Sequence, residues 1–345
     1  MNFPSDHETP AWPAGSMESS KPADPFGKSF QPVQRDSDPP WVPENSPLQA
    51  WESSDGSLIA ISDPAALPAE FKTSHWAEQF QRDTDLLAIV AAPDHDSRVP
   101  MGASPHKATW PGGISALLVA PAAQGPLVFR RTAGEVGRLR DLDSPLWDWV
   151  IRASQLGRTI ARIPSTSEIA VPLPLLAPPA PPRAKAWLLE HLLSIQLKVG
   201  GSNLRDKVAV AALRAGILLW HDFLDESHRC SQSIEGEGPG QLGDYWHAIM
   251  HRREPDYGNA KYWFRQVSPH PLFQQLCEPA DSILEACPDS EAPRWRNRLT
   301  RDSRWDPFAF VDLCQTCSVD EDSPLALAAR RIQLVEMSLL LRVSQ

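Results

Sequence analysis

Four of the ten histidines fall between positions 221 and 251. His221, Asp225, His228 and Gln232 stand at i, i+4, i+7 and i+11, and His247, His251 and Glu254 repeat i, i+4, i+7. At 3.6 residues per turn, that spacing gathers each set on one helix face. Two facing lines of imidazole and carboxylate suit a divalent metal, because these ligands favour Zn, Fe or Mn. Bundle metal sites also pair a carboxylate with a His three or four residues away. Asp225-x-x-His228 has this form, and His251-x-x-Glu254 has it reversed. The candidate metal ligands are therefore His221, Asp225, His228, His247, His251 and Glu254, with a divalent metal as candidate cofactor. The candidate catalytic groups are His221, Asp225, His247 and His251, since an unperturbed imidazole pKa near ~6.5 suits a general acid or base. The segment His247 to His251 lacks the Glu of a zinc-protease helix, which counts against that chemistry.

Two other readings of the same residues stay open. Asp222, Arg252, Arg253 and Arg265 can join Glu254 and Asp256 in an ionic network that locks two helices. Alternatively, arginine forks beside Trp246, Tyr262 and Trp263 suit a sugar or a phosphate-bearing anion. The candidate ligand-binding set is Asp222, Trp246, Arg252, Arg253, Tyr262, Trp263 and Arg265. Cys314-x-x-Cys317 has metal or redox spacing but no second pair, because Cys277 and Cys287 are ten apart. Two buried thiols are the favoured reading there.

The elements that must position these residues are helical from position 185 onward. Leu188, Leu189, Leu192 and Leu193 mark one helix. Ser202 begins a long helix with Leu204, Val208, Ala212, Ala215 and Leu219 on one face, running on through His221 to Gln232. The Gly-rich stretch 236–243 turns the chain into the next helix, antiparallel to it. Asn259 to Val267 is another helix. Asp306-Pro307 and Ser323-Pro324 are N-cap-plus-first-turn signals. After the second, Leu325, Ala328, Ile332, Val335 and Leu339 recur at steps of 3 and 4, a core-facing stripe.

Upstream, residues 55–170 alternate apolar strands with helical spacings. Strands are expected at Leu58–Ile61, Asp85–Ala91, Ile114–Val119 and Leu127–Phe129. Helices are expected over 68–81, 133–139 and 146–156, with a loop over 93–113. This alternation indicates an α/β unit. Residues 171–184 hold six prolines and read as a semi-rigid spacer. Residues 1–54 show no hydrophobic period and read as a disordered Pro-rich leader. The expected architecture is α+β: leader 1–54, partial α/β unit 55–170, linker 171–184 and all-helical domain 185–345.

Composition bounds the partners. The 345 residues carry a formal net charge of −10, with 35 prolines and five cysteines. A pI near 5.5 argues against a nucleic-acid binder. No apolar run of about 20 residues is present, so no membrane span is expected. The start MNFPSDHETP lacks a signal-peptide pattern, and the sparse, odd cysteines point to a reducing, cytoplasmic setting.

Two stretches carry family resemblances. LIAISDPAALPAEF, ISALLVAPAAQGPLVFRRTAGEVG and SPLWDWVIRASQLGRTIARIP, within residues 55–165, resemble the distal half of a family 2 glycosyltransferase domain. The resemblance implies a metal-holding acid at Asp63, a basic pair at Arg130 and Arg131, and a catalytic base at Asp148 beside Arg152. Pro145 and Leu146 stand at the family's Glu-Asp pair, and the Pro-rich leader stands where its nucleotide-binding half would be. The unit is therefore expected to be inactive. LLWHDFLDESHRCSQSIEG, GDYWHAIMHRREPDYGNAKYWFRQV and WDPFAFVDLC resemble an uncharacterised bacterial helical-domain family, which implies no mechanism. The leading expectation is a pocket in the helical domain for a small carbohydrate or phosphate-type anion, with or without a metal. The alternatives are a non-enzymatic interaction scaffold, whose protein partner the sequence does not identify, and an active glycosyltransferase.

Overall fold

A computed structural model describes residues 58–61, 86–93, 109–110, 127–130, 136, 140, 144–156, 159–165, 173–199, 202–267 and 269–344. The expected leader, the helix over 68–81, the strand over 114–119, Asp63 and Arg131 lie outside these residues, as do all positions of the 133–139 helix except Val136.

Five strands form one mixed sheet: β1 Leu58–Ile61, β2 Leu86–Pro93, β3 Thr109–Trp110, β4 Leu127–Arg130 and β5 Thr159–Ser165, in the order β1-β4-β2-β5-β3. β2 and β5 run parallel, with Ile89 opposite Ala161, and the other pairs are antiparallel. Helix α1, Pro145–Gln155, precedes β5. β5 lay outside the expected strands, and β3 falls within the expected 93–113 loop.

From residue 183 onward the described chain is helical with short connections, apart from a two-residue-per-strand hairpin, β6 Lys198–Val199 with β7 Ser202–Asn203. The α-helices are α2 Ala186–Ser194, α3 Lys207–Trp220, α4 Leu224–Gln232, α5 Leu242–Arg253, α6 Tyr257–Gln266, α7 Pro271–Glu285, α8 Ala292–Leu299, α9 Pro307–Cys317 and α10 Pro324–Val343. Every residue of α5 is buried, and a helix enclosed on all sides is a central one. Gly216 of α3 lets it approach closely: a Cβ there would stand 2.5 Å from the Trp246 ring of α5 and 2.7 Å from Leu341 of α10. The expected caps are present. The Asp306 carboxylate accepts from the Phe308 and Ala309 N–H groups, and the Ser323 hydroxyl from that of Ala326.

The structure corrects three expectations. The expected long helix over 203–232 is two helices, because α3 starts at Lys207 with Asp206 as its cap and ends at Trp220. There the Asp222 N–H donates to Leu219 O at 3.2 Å and the Phe223 N–H to Leu218 O at 3.0 Å. Asp222 has φ +67. This is a Schellman ending, with aspartate in the left-handed position usually held by glycine and a buried phenylalanine after it. His221 and Asp225 therefore do not share a helix face.

The second correction concerns the linker. Residues 173–182 are a strap on the helical unit, with Leu176 1 % exposed. Proline supplies no N–H, so this segment cannot join a helix or a sheet ladder, and side chains satisfy its backbone instead. Leu176 and Ala177 donate to the two Glu321 carboxylate oxygens, both at 2.8 Å. Arg330 donates to Leu173 O at 2.6 Å, Gln333 to Leu175 O at 3.0 Å, and Arg253 to Leu175 O at 3.1 Å.

The third correction is the boundary. The expected boundary places α1 in the α/β unit, yet Trp147 and Ile151 belong to the core of the helical unit. Trp147 packs edge-on to Trp187 of α2, with ring centroids 5.7 Å apart.

Candidate metal centre

α4 and α5 pack side by side and bring three imidazoles together, with α6 against them. His228 comes from α4; His247 and His251 stand one turn apart on α5. One possible ligand atom from each lies within 4.8 Å of the other two. The His247 ring stacks on His251, with centroids 4.8 Å apart, and its other face lies on Trp263 of α6 at 3.9 Å. His228 meets both edge-on, at 4.6 and 5.3 Å.

The electrostatics favour neutral imidazoles. Burial, together with neighbouring His251 and His228, lowers the His247 pKa to about 3. His251 is also lowered, chiefly by burial, against the opposing pull of Glu254. Neutral imidazole is the form that binds metal. His247 is 1 % exposed, and neither ring nitrogen has a hydrogen-bond partner among the described residues. An unmade buried hydrogen bond costs about 1–3 kcal/mol, so an unpartnered imidazole is a feature to be explained.

His251 is oriented from outside the cluster. Its Nδ1 lies 3.0 Å from Glu254 Oε2. A carboxylate accepts only, so the ring proton sits on Nδ1 and the lone pair on Nε2. The Asn259 Nδ2 amide donates to that nitrogen at 3.3 Å, a bond that a metal on Nε2 would displace. A carboxylate holding the far nitrogen of a histidine is the usual outer-shell arrangement of a metal ligand. The site opens outward, since His228 is half-buried and Glu254 is exposed.

The remaining sequence candidates lie elsewhere. His221 caps α3 and packs on Trp147, with centroids 5.4 Å apart. Asp225 is exposed in the first turn of α4, where a carboxylate complements the helix dipole. Trp246 is a core residue whose indole N–H donates to Ser344 Oγ at 3.1 Å. Tyr262 is exposed, and Arg265 lies over the Phe308 ring at 5.9 Å.

Arg252 and Arg253, expected to hold an anion, are turned inward. Arg252 donates to Glu336 Oε2 at 2.5 Å, with both side chains fully buried, and lies 4.5 Å over the Phe310 ring. Tyr245 OH donates to the other Glu336 oxygen at 3.1 Å. Arg253 donates to Asp222 Oδ1 at 2.7 Å, to Leu219 O and to Leu175 O. One guanidinium thus ties α5 to the end of α3 and to the strap. Ionic networks of this kind fix packing; Arg253 pairs with Asp222, one of the expected acids, whereas Arg252 pairs with Glu336, outside the expected set.

Among the residues carried over from the glycosyltransferase resemblance, Asp63 and Arg131 lie outside the described residues, and of Arg130 only the backbone is described. Asp148 is fully buried and bound by Arg152 at 2.9 Å and His191 at 2.7 Å, with Arg140 at 3.4 Å. Burial alone would raise its pKa, but these partners hold it below the usual carboxylate value. It is a brace between α1 and α2.

Burial pushes the Cys314 and Cys317 thiols up to about 12, and among the described residues the cysteines join no metal-type cluster. Sequence spacing found His228, His247, His251 and Glu254. It missed Asn259, whose only signal was its place in the first turn of the next helix.

Comparison of the chain with protein-family models, with curated proteins and with solved structures finds no match, so its functional reading rests on the geometry of this site.

Proposed function

We propose that the helical unit holds a divalent transition metal, of which Zn(II) fits best, on His228, His247 and His251, with Glu254 as the outer-shell partner of His251. The observation that carries this reading is His247, a buried imidazole with both nitrogens unpartnered, kept neutral among two further imidazoles. Three protein ligands are one short of tetrahedral coordination. A three-histidine site of this kind keeps a position for water or a substrate oxygen, and the metal lowers the pKa of its water to about 7. The half-buried His228 edge would give a small oxygen-bearing ligand, a sugar hydroxyl or an anion, its access to that position.

The test is metal content. Protein purified without added chelator and dialysed is expected to keep close to one equivalent of zinc, as a preformed multi-ligand site does. His247→Ala is expected to keep less than about a tenth of that while remaining folded by circular dichroism. Wild-type protein that retains no transition metal, and takes up none from micromolar zinc, would leave the imidazoles as a packing feature and end the proposal.

A further inference from the structure

A second site is built on α8 and α9 from residues that the histidine cluster does not share. α8, the short 3-10 turn Arg301–Ser303 and the start of α9 enclose an open groove of about 730 Å³, within the usual range for small-molecule sites. Arg294, Arg298, Arg301 and Arg304 all line it, together with Trp305 and Phe308. Four guanidinium groups on one groove stand out in a chain of net charge −10.

The nearby acids neutralise this cluster only in part. The Asp306 carboxylate is occupied by the N–H groups that it caps. Arg294 pairs with Glu291 at 3.0 Å and Arg301 with Asp302 at 3.8 Å, all four side chains more than half exposed, and exposed pairs of this kind are weak. Arg298 is held by Asp312 and lies 5.0 Å over the Trp295 ring. Arg304 is exposed and has no ion pair among the described residues.

Two further features set this segment apart. Trp305 is 5 % exposed, and its indole N–H has no acceptor among the described residues, so the groove wall contains a buried donor without a partner. Asp302 and Ser303 have φ +54 and +56. Consecutive left-handed non-glycine residues are costly and concentrate at binding sites. Here they form the tight turn that puts Arg301 and Arg304 on the same groove.

We infer that this groove binds a phosphate-bearing small molecule of nucleotide size. Guanidinium forks match phosphate oxygens two at a time. Phe308 lines the same groove and is half-buried, with Arg265 over its ring at 5.9 Å, so it adds apolar surface beside which a base or sugar can rest.

Calorimetric titration of the full chain with ADP, pyrophosphate and adenosine at low salt tests this. ADP is expected to bind below about 1 mM and adenosine not to bind, with Arg301→Gln/Arg304→Gln weakening ADP by about tenfold or more. Both arginines are exposed, and an unchanged melting temperature confirms that the double variant is folded. Pyrophosphate matching ADP would support the phosphate chemistry with no role for the base. His228→Ala, which alters the proposed metal centre, is expected to leave ADP binding unchanged, so this site and that centre stand or fall separately. No binding of ADP or pyrophosphate at about 5 mM, or equal binding by the double variant, would overturn the inference.

Discussion

His247 shows how an ordinary residue becomes a site. Its type and its i, i+4 relation to His251 are visible in the sequence, but its lack of a partner is not. That depends on Trp263 covering one face and His228 arriving from α4. Glu254 acts one step out, fixing the His251 tautomer across 3.0 Å. Glu254→Gln keeps an acceptor but removes the charge that raises the basicity of the ligand. Metal affinity, measured by chelator competition, is expected to fall about 10- to 100-fold, and an unchanged affinity would remove Glu254 from the site. A histidine outside the centre makes a separate prediction. His270 caps α7, its Nδ1 accepting from the Leu272 N–H at 3.1 Å, and burial lowers its pKa below the ordinary imidazole value. Because the unfolded chain takes up this proton more readily, stability is retained above about pH 6.5 and falls as pH drops below it. His270→Asn keeps a side-chain acceptor for the cap. It is expected to lose less stability than wild type between about pH 7 and pH 5 in urea melts, whereas an equal loss would show that this group carries none of the acid sensitivity.

At the scale of elements, the legible parts were those set by local chemistry. Asp306-Pro307 and Ser323-Pro324 marked the starts of α9 and α10 because capping is a contact within one turn. The stripe on α10 was legible for the same reason: Leu325, Ala328 and Ile332 are buried, with Val335 and Leu339 partly so. Glu336, on the same helix, was not legible as a core residue, because its burial depends on Arg252 and Tyr245 from α5, about 90 positions away. The end of α3 was missed because aspartate, not glycine, takes the left-handed position, and its carboxylate is held by Arg253 from 31 residues downstream. Arg253 also anchors the strap through Leu175 O. Arg253→Met leaves the Asp222 carboxylate without its cation, while Leu219 O keeps the Asp222 N–H and Leu175 O keeps Gln333. Asp222 is one-third exposed, so the expected loss lies at the lower end of the range for broken buried pairs, about 3 kcal/mol by urea unfolding. A loss under about 0.5 kcal/mol would mean that the strap and the α3 ending are held by other contacts.

For the whole molecule, the described core runs without a break from Trp147 and Ile151 of α1, through Leu176 of the strap, to Leu341 of α10. The proline run that marks a boundary in composition is thus part of the packed unit, since proline content reports which backbone bonds a segment cannot make and not whether side chains cover it. No helix among the described residues is long and apolar enough to cross a membrane. The central claim is that this unit gathers His228, His247 and His251 into one metal centre and leaves the other sequence candidates outside it. Titration of metal-free protein with Co(II) tests that claim most directly, because tetrahedral Co(II) absorbs visibly and reports its ligands. The account predicts an absorption that saturates at about one equivalent. It should be lost in His228→Ala, His247→Ala and His251→Ala and be retained in His221→Ala and Asp225→Ala. No tetrahedral absorption in wild type, or equal loss on replacing His221 or Asp225, would contradict it.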